Sequence, residues 1–144
     1  MSMKTKIKIC GITSIKDALG AAQAGADYLG FIINFSKSPR NLGPVEAQKI
    51  INAVKKEFPK VYCVGVLVDQ NFDEVKKIIL STGIDVVQLH GNESPDLCSS
   101  LRGKVEVWKA LIIKSALDLK KIAVYKPYTD KILLDAGRGS GELI

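Results

Sequence analysis

The chain alternates between two apolar patterns. Short runs rich in β-branched residues, "KIKIC" (6–10), "YLGFIINF" (28–35), "VYCVGVLV" (61–68), "DVVQLH" (85–90), "VEVWKALII" (105–113) and "KILLD" (131–135), predict strands. Between them apolar residues recur at helical spacing: Ile15, Ala18, Leu19, Ala22; then Val45, Ile50, Ile51, Val54; then Phe72, Val75, Ile78, Ile79; then Leu97, Leu101; then Ala116, Leu119, Ile122, Ala123. Each set predicts a helix with one face to bury. Capping chemistry marks the starts. Ser14 with Asp17, Asn71 with Glu74 and Ser115 with Asp118 each put a side-chain acceptor at the N-cap and an acid three residues on, while Gly43-Pro44 and Ser94-Pro95 put proline at the first helical position. Gly25 and Gly83 stand where helices one and three need a left-handed end.

Six strands and five helices therefore alternate strictly, with a repeat of about 25 residues, the length of one strand, one helix and two short loops. Mostly apolar strands in such an order predict a parallel sheet covered by helices. Two architectures fit, an open doubly wound sheet and a (β/α)8 barrel. A dinucleotide-binding sheet calls for GxGxxG after the first strand, which "CGITSIKD" lacks; a barrel calls for eight units.

A length of 144 residues with 47% hydrophobic and 25% charged positions suits one globular core rather than two. No apolar run is long enough to span a membrane and "MSMKTKIK" lacks the apolar centre of a signal peptide, so the expectation is a cytoplasmic protein that does not enter membranes. Cys10, Cys63 and Cys98 are odd in number and widely spaced, which argues against a disulfide framework or a zinc site. The net charge of +6 arises entirely within residues 1–60, with ten Lys/Arg against four Asp/Glu. A solvated lysine surface explains it, as would attraction of an anionic small molecule; the lysines are not interleaved with aromatics, so a nucleic-acid partner is not expected.

In either parallel architecture, ligands bind at the carboxyl ends of the strands. Those ends carry Cys10, Asn34 with the following loop to Arg40, Asp69, His90, Lys109 and Asp135. Each has a bland explanation: Cys10 as a small core residue, His90 as a partner of some backbone group, Arg40 as a solvated loop residue. Asp135 is the least bland, because a carboxylate directly after "ILL" is costly to bury without a partner or a task.

Taken together with their flanks, "KICGIT", "GADYLGFI" followed by "SPR", "VGVLV", "QLHG" with Glu93, "WKAL" and "LLDAGRGSG", these residues closely resemble the phosphoribosylanthranilate isomerase family of tryptophan biosynthesis. The resemblance runs from residue 6 to the C-terminus. It implies an α/β fold of the (β/α)8 TIM-barrel type, truncated to about six parallel strands and five helices, as a single incomplete domain over residues 1–144.

It also implies an Amadori rearrangement of N-(5′-phosphoribosyl)anthranilate to 1-(o-carboxyphenylamino)-1-deoxyribulose 5-phosphate, without metal or cofactor. In that reaction Cys10 matches the general base and Asp135 the general acid. Arg40 matches the residue that meets the anthranilate carboxylate, and His90 the family histidine at the fourth strand end, a substrate-binding position. On chemical grounds Cys10, whose thiol ordinarily titrates near about pH 8.5, needs a positive neighbour such as Lys8; burial at a barrel mouth is expected to raise the Asp135 pKa. The sequence departs from the family at Glu142, where lysine is usual, and ends before the units whose loops hold the substrate phosphate. Three readings stay open: an isomerase lacking its final quarter; a natural truncation that is inactive or serves as a binding or assembly module, self-associating through open sheet edges; and another phosphosugar-binding enzyme of like architecture.

Overall fold

The computed structural model describes residues 3–137. The elements are β1 (Lys8–Cys10), α1 (Ile15–Gln23), β2 (Tyr28–Ile33), β3 (Asn41–Leu42), α2 (Pro44–Glu57), β4 (Tyr62–Leu67), α3 (Phe72–Thr82), β5 (Val86–Leu89), α4 (Pro95–Leu101), β6 (Glu106–Ile112), α5 (Lys120–Tyr125) and β7 (Lys131–Asp135). The long strands pair in parallel in the order β1-β2-β4-β5-β6-β7, and the two-residue β3 adds to β2. That order follows the sequence without reversal, so among the described residues there is no switch point of the kind a doubly wound sheet requires.

The two faces of the sheet are unlike. Leu29, Phe31, Ile33, Cys63, Leu67, Val87, Leu89 and Val107 pack with Ala18 and Ala22 of α1, Ile50, Ile51 and Val54 of α2, Val75 and Ile78 of α3, and Cys98 and Leu101 of α4. The alternate residues Val64, Val86 and Trp108 form a second cluster with Tyr28 and Leu133, built from strands alone. Helices on one face and side chains alone on the other is barrel construction, here a curled sheet.

The helix starts form as their chemistry dictates. Ser14 Oγ accepts from Asp17 N at 3.1 Å. Asn71 Oδ1 accepts from Glu74 N at 3.0 Å while Glu74 Oε2 accepts from Asn71 N at 2.9 Å. Gly83 ends α3 at φ 77° and Gly25 follows α1 at φ 103°. The fifth unit departs from the expected pattern. Residues Ala116–Leu119 make a 3-10 turn before a helix of only six residues, and none of that helix is buried. Leu117 and Leu119 stay exposed. Ile15 and Val45, read as inward-facing, are also exposed; each lies in the first turn of its helix. Of the "GRGSG" stretch only Gly137 is described; the rest, with Glu142, lies outside the described residues.

A repeated device registers the strands at their amino ends. Asp27, Asp85 and Asp130 each stand one residue before a strand, and each accepts the amide of a residue on the preceding neighbour: Ile7 N at 2.9 Å, Cys63 N at 2.8 Å and Val107 N at 2.8 Å. In return each aspartate's own amide donates to the carbonyl of the same residue, at 2.9, 2.8 and 2.8 Å. Lys6, Lys55 and Arg102 pair with the three carboxylates in turn.

At the opposite end a buried ion pair joins the loops after β4 and β5 to β6. Lys109 and Glu93 are almost wholly enclosed, with Nζ to Oε2 at 2.9 Å. Lys109 Nζ also donates to Gly91 O at 2.7 Å and Leu89 O at 3.3 Å, so its three protons are all used. Glu93 accepts from Asp69 N at 2.9 Å and from Gly91 N at 2.9 and 3.1 Å. The ring of Tyr125 lies 5.5 Å from Lys109 Nζ, and its hydroxyl donates to Glu93 O at 2.8 Å. Lys109 lies mid-strand and faces the helices, so it does not join the ligand-side edge where its place in the sequence had put it.

Two measurements follow. Lys109→Met, which leaves the Glu93 carboxylate buried and unpaired, is expected to cost about 3–5 kcal/mol in urea unfolding; a loss below 1 kcal/mol would show that the carboxylate finds another partner. The Ile7 amide, foremost, and Lys6 hold the Asp27 carboxyl below its usual range. A depressed folded value contributes stability above the unfolded pKa, and that contribution is lost as pH falls through the folded one. Asp27→Ala should therefore melt at a lower temperature than wild type near neutrality and at the same temperature once the wild-type carboxyl is protonated.

Candidate active site

Register puts alternate residues on the concave face. Cys10 pairs with Gly30, Gly30 with Val64, Val64 with Val86, Val66 with Gln88, Gln88 with Trp108, and Ile112 with Asp135. Parallel partners share a face, so Cys10 and Asp135 both leave the side that the helices do not cover. They end the two outermost long strands, at the same edge, with β2, β4, β5 and β6 between them. No hydrogen bond joins them among the described residues.

Around Cys10 the backbone is bare by design of sequence. A Cβ on Gly30 would lie 2.8 Å from Cys10 Sγ and 2.9 Å from Lys8 Nζ, so the thiol and the ammonium are neighbours over the glycine. Gly11 turns the chain at φ 82°, and a Cβ there would lie 2.5 Å from Nη1 of Arg40. The guanidinium thus rests against the residue next to the thiol, and it makes no ion pair among the described residues. The loop that carries it is held by hydrogen bonds: Asn34 N to Leu42 O at 3.0 Å, Ser38 N to Phe35 O at 3.0 Å, Phe35 N to Asn41 Oδ1 at 2.6 Å and Arg40 N to Ser38 Oγ at 3.1 Å. Cys10 is exposed, whereas Cys63 and Cys98 are buried, and burial pushes the Cys63 thiol up to about 12.

His90 joins Asp135. Its Nε2 lies 2.7 Å from Asp135 Oδ2, and its Nδ1 lies 2.9 Å from Gln88 Nε2. The strand between them, β6, puts Ala110 and Ile112 on the same face, Ala110 in register with Leu133 and Ile112 with Asp135. The residue after His90 must be glycine, since a Cβ on Gly91 would run into the Asp69 carboxylate and backbone. Asp69 itself, at φ 51°, accepts from Asn92 N at 2.6 Å and so faces the loop rather than the concave surface.

One expectation needs correction. The Asp135 carboxyl does not rise in pKa: the Gly137 amide, donating at 3.0 Å, outweighs partial burial, and with the His90 imidazole it holds the group below the usual carboxylate range. Two residues escaped sequence reasoning. Gln88, which fixes His90, was hidden inside an apolar run, and Gly30 gave no signal except a glycine at a strand centre, which itself marks a close approach.

A depression of about 560 Å³, lined by Lys55, Pro59, Lys60, Val61, Tyr62 and Asp85, lies at the amino ends of the strands, the wrong edge for Cys10 and Asp135. The four candidate residues occupy the open concave mouth instead. Among the described residues no three His, Cys, Asp or Glu side chains converge to hold a metal ion, and no helix is long and apolar enough to cross a membrane.

Comparison with known proteins places this geometry. Residues 7–144 match the family described as N-(5′-phosphoribosyl)anthranilate (PRA) isomerase. A protein of that name from Citrifermentans bemidjiense is 46% identical over 132 residues, covering 92% of this chain and 60% of its own. Among solved structures, phosphoribosyl anthranilate isomerase from Thermus thermophilus superposes with a TM-score of 0.83 at 34% identity, over 97% of this chain and 67% of that one. A second, in complex with reduced 1-(o-carboxyphenylamino)-1-deoxyribulose 5-phosphate, gives 0.83 at 32% identity over 92% and 65%. The chain spans about 60% of the length of the curated relatives it matches. A sequential parallel sheet helical on one face, a thiol and a carboxylate at its two ends, and a profile match over nearly the whole length lead to one assignment: the chain belongs to the N-(5′-phosphoribosyl)anthranilate isomerase family.

Proposed function

We propose that the concave mouth catalyses the Amadori rearrangement of N-(5′-phosphoribosyl)anthranilate. Acid catalysis opens the ribose ring: the anthranilate nitrogen lone pair forms the C1=N bond, the C1–O bond breaks, and the ring oxygen takes a proton. A base then removes the proton from C2, giving the enamine that becomes the aminoketose. The reading rests on one observation above all. A thiol beside an ammonium and a carboxylate beside an imidazole lie on the same face and the same edge, apart from each other, as two groups acting on different atoms of one sugar must.

Cys10 is assigned the base, with the Lys8 ammonium beside it over Gly30. Asp135 is assigned the acid, and its environment alters how that role is filled. Because the carboxyl is held ionised, the deliverable proton belongs to the His90–Asp135 pair as a unit rather than to the carboxyl alone. With both nitrogens of His90 engaged, its part is to hold that proton, in place of the direct substrate contact expected from the sequence. Arg40, unpaired and beside Cys10, is assigned the anthranilate carboxylate. The cytoplasm is the compartment that keeps such a thiol reduced.

A second reading has its own observation. Ile9 of β1 and Leu134 of β7 are exposed, as is Ile7 just before β1, and neither strand has a further partner among the described residues. Such edges favour self-association, which sedimentation over a concentration series would detect.

The deciding experiment measures turnover of phosphoribosylanthranilate by this chain alone and by the chain joined to the part of the C. bemidjiense relative that it does not span. In the form that turns over, Cys10→Ala and Asp135→Asn should each lower kcat by about two to four powers of ten. Near-wild-type turnover in either variant would remove that residue from the mechanism. Arg40→Ala should raise KM more than it lowers kcat, since a carboxylate whose charge is constant binds alike in ground and transition states. A fall in kcat at constant KM would instead assign the arginine to developing charge.

A further inference from the structure

Gln88 lies on the concave face of β5, 2% exposed, between Val66 and Trp108 in the register of neighbouring strands. Its amide is used on one side only. Nε2 lies 2.9 Å from Nδ1 of His90, while Oε1, beyond the reach of solvent, has no partner among the described residues. A buried carbonyl without a partner is uncommon and calls for a reason.

The reason lies in what an amide can do at that spot. Turned over about its last bond, it shows its carbonyl to Nδ1 and leaves its NH2 over instead, so the number of hydrogen bonds is unchanged. The two arrangements differ in protons. With NH2 toward Nδ1, that nitrogen must be a bare acceptor; the ring proton sits on Nε2 and donates to an ionised Asp135, and the pair holds one proton. With the carbonyl toward Nδ1, that nitrogen must carry hydrogen, and the proton between Nε2 and Asp135 Oδ2 becomes a second one, taken from solvent.

We infer that Gln88 is a positioning residue which, by the face its amide shows to His90, sets whether the His90–Asp135 pair holds one proton or two. Seen through the isomerase reading, on which its catalytic meaning rests, the two-proton state is the loaded acid. Delivery of a proton from Asp135 Oδ2 to the departing ring oxygen returns the pair to one proton and the amide to the orientation described above.

Other charges near the pair are committed elsewhere. Glu93 and Lys109 are paired behind the sheet, Asp69 is held by the Asn92 amide, and Lys131 pairs with Glu106 toward the amino ends. Lys8 and Cys10 share the concave face from β1.

His90 is the only histidine in the chain, so its ring nitrogens can be observed without ambiguity by long-range proton–nitrogen NMR. In the wild-type chain above the ring's midpoint, the proton should sit on Nε2, and on acidification the Gln88 side-chain amide resonances should move with the same midpoint as the ring. Gln88→Met keeps the shape and removes both polar groups, and should leave the two tautomers mixed. Gln88→Glu supplies a permanent acceptor, and should raise the ring's midpoint by about one pH unit or more, roughly a tenfold change in proton affinity. A wild-type ring protonated on Nδ1 above its midpoint overturns the inference without any variant. So do unchanged tautomer and midpoint in both variants when Trp108 fluorescence reports a native fold. None of these readouts needs turnover, so coupled resonances in a chain that does not isomerise would support the inference while telling against the isomerase reading alone.

Discussion

The enclosed pair of Lys109 and Glu93 is the constraint on which the carboxyl-end architecture depends. Charges removed from water persist only where every proton and lone pair is met, and here the partners that meet them are backbone groups of the chain around Asp69 and Gly91. The pair therefore acts less as glue than as a template. Satisfying it forces the loops after β4 and β5 into one arrangement, and that arrangement sets where His90 leaves its strand. Asp69 and Gly91 take unusual backbone and close contact as a result. The concave face is thus positioned from behind, by charges enclosed on the helix side.

Much of this was legible in the sequence. Alternation of apolar periods gave the parallel layers, and N-cap chemistry located the long helices, because both signals are local and the tertiary fold agrees with them. Cys10, Arg40, His90 and Asp135 stood out only together with the motifs around them, since taken singly each had a bland explanation. What stayed hidden depends on contacts between distant segments. Nothing near Lys109 in sequence says that it turns to the helices to meet Glu93. The direction of the Asp135 shift was misjudged because desolvation can be guessed from an apolar context, whereas an amide donated by Gly137 cannot. The short α5 misled for a related reason: helical spacing marks a face that could be buried, and not what would cover it.

The two ends of the concave face are built differently. A thiol lies over a glycine beside an ammonium at one end of the sheet, and at the other a carboxylate, held below its usual range chiefly by the Gly137 amide, lies against an imidazole. At the first, Gly30 leaves the space above β2 that the Cys10 and Lys8 side chains occupy.

The aspartates at the amino ends have a consequence of another kind. Asp27, Asp85 and Asp130 each clasp a strand to its sheet neighbour through a reciprocal pair of bonds, and the three clasps divide the long strands into couples, β1 with β2, β4 with β5, β6 with β7. A parallel couple must find its alignment across an intervening helix, the step at which slippage by a residue would invert every side chain. With the clasp written into each couple, alignment is decided within it and needs no information from the rest of the sheet. Such a chain is modular in inheritance as well as in form: couples can be duplicated, exchanged or appended during evolution, each arriving with its own alignment already specified.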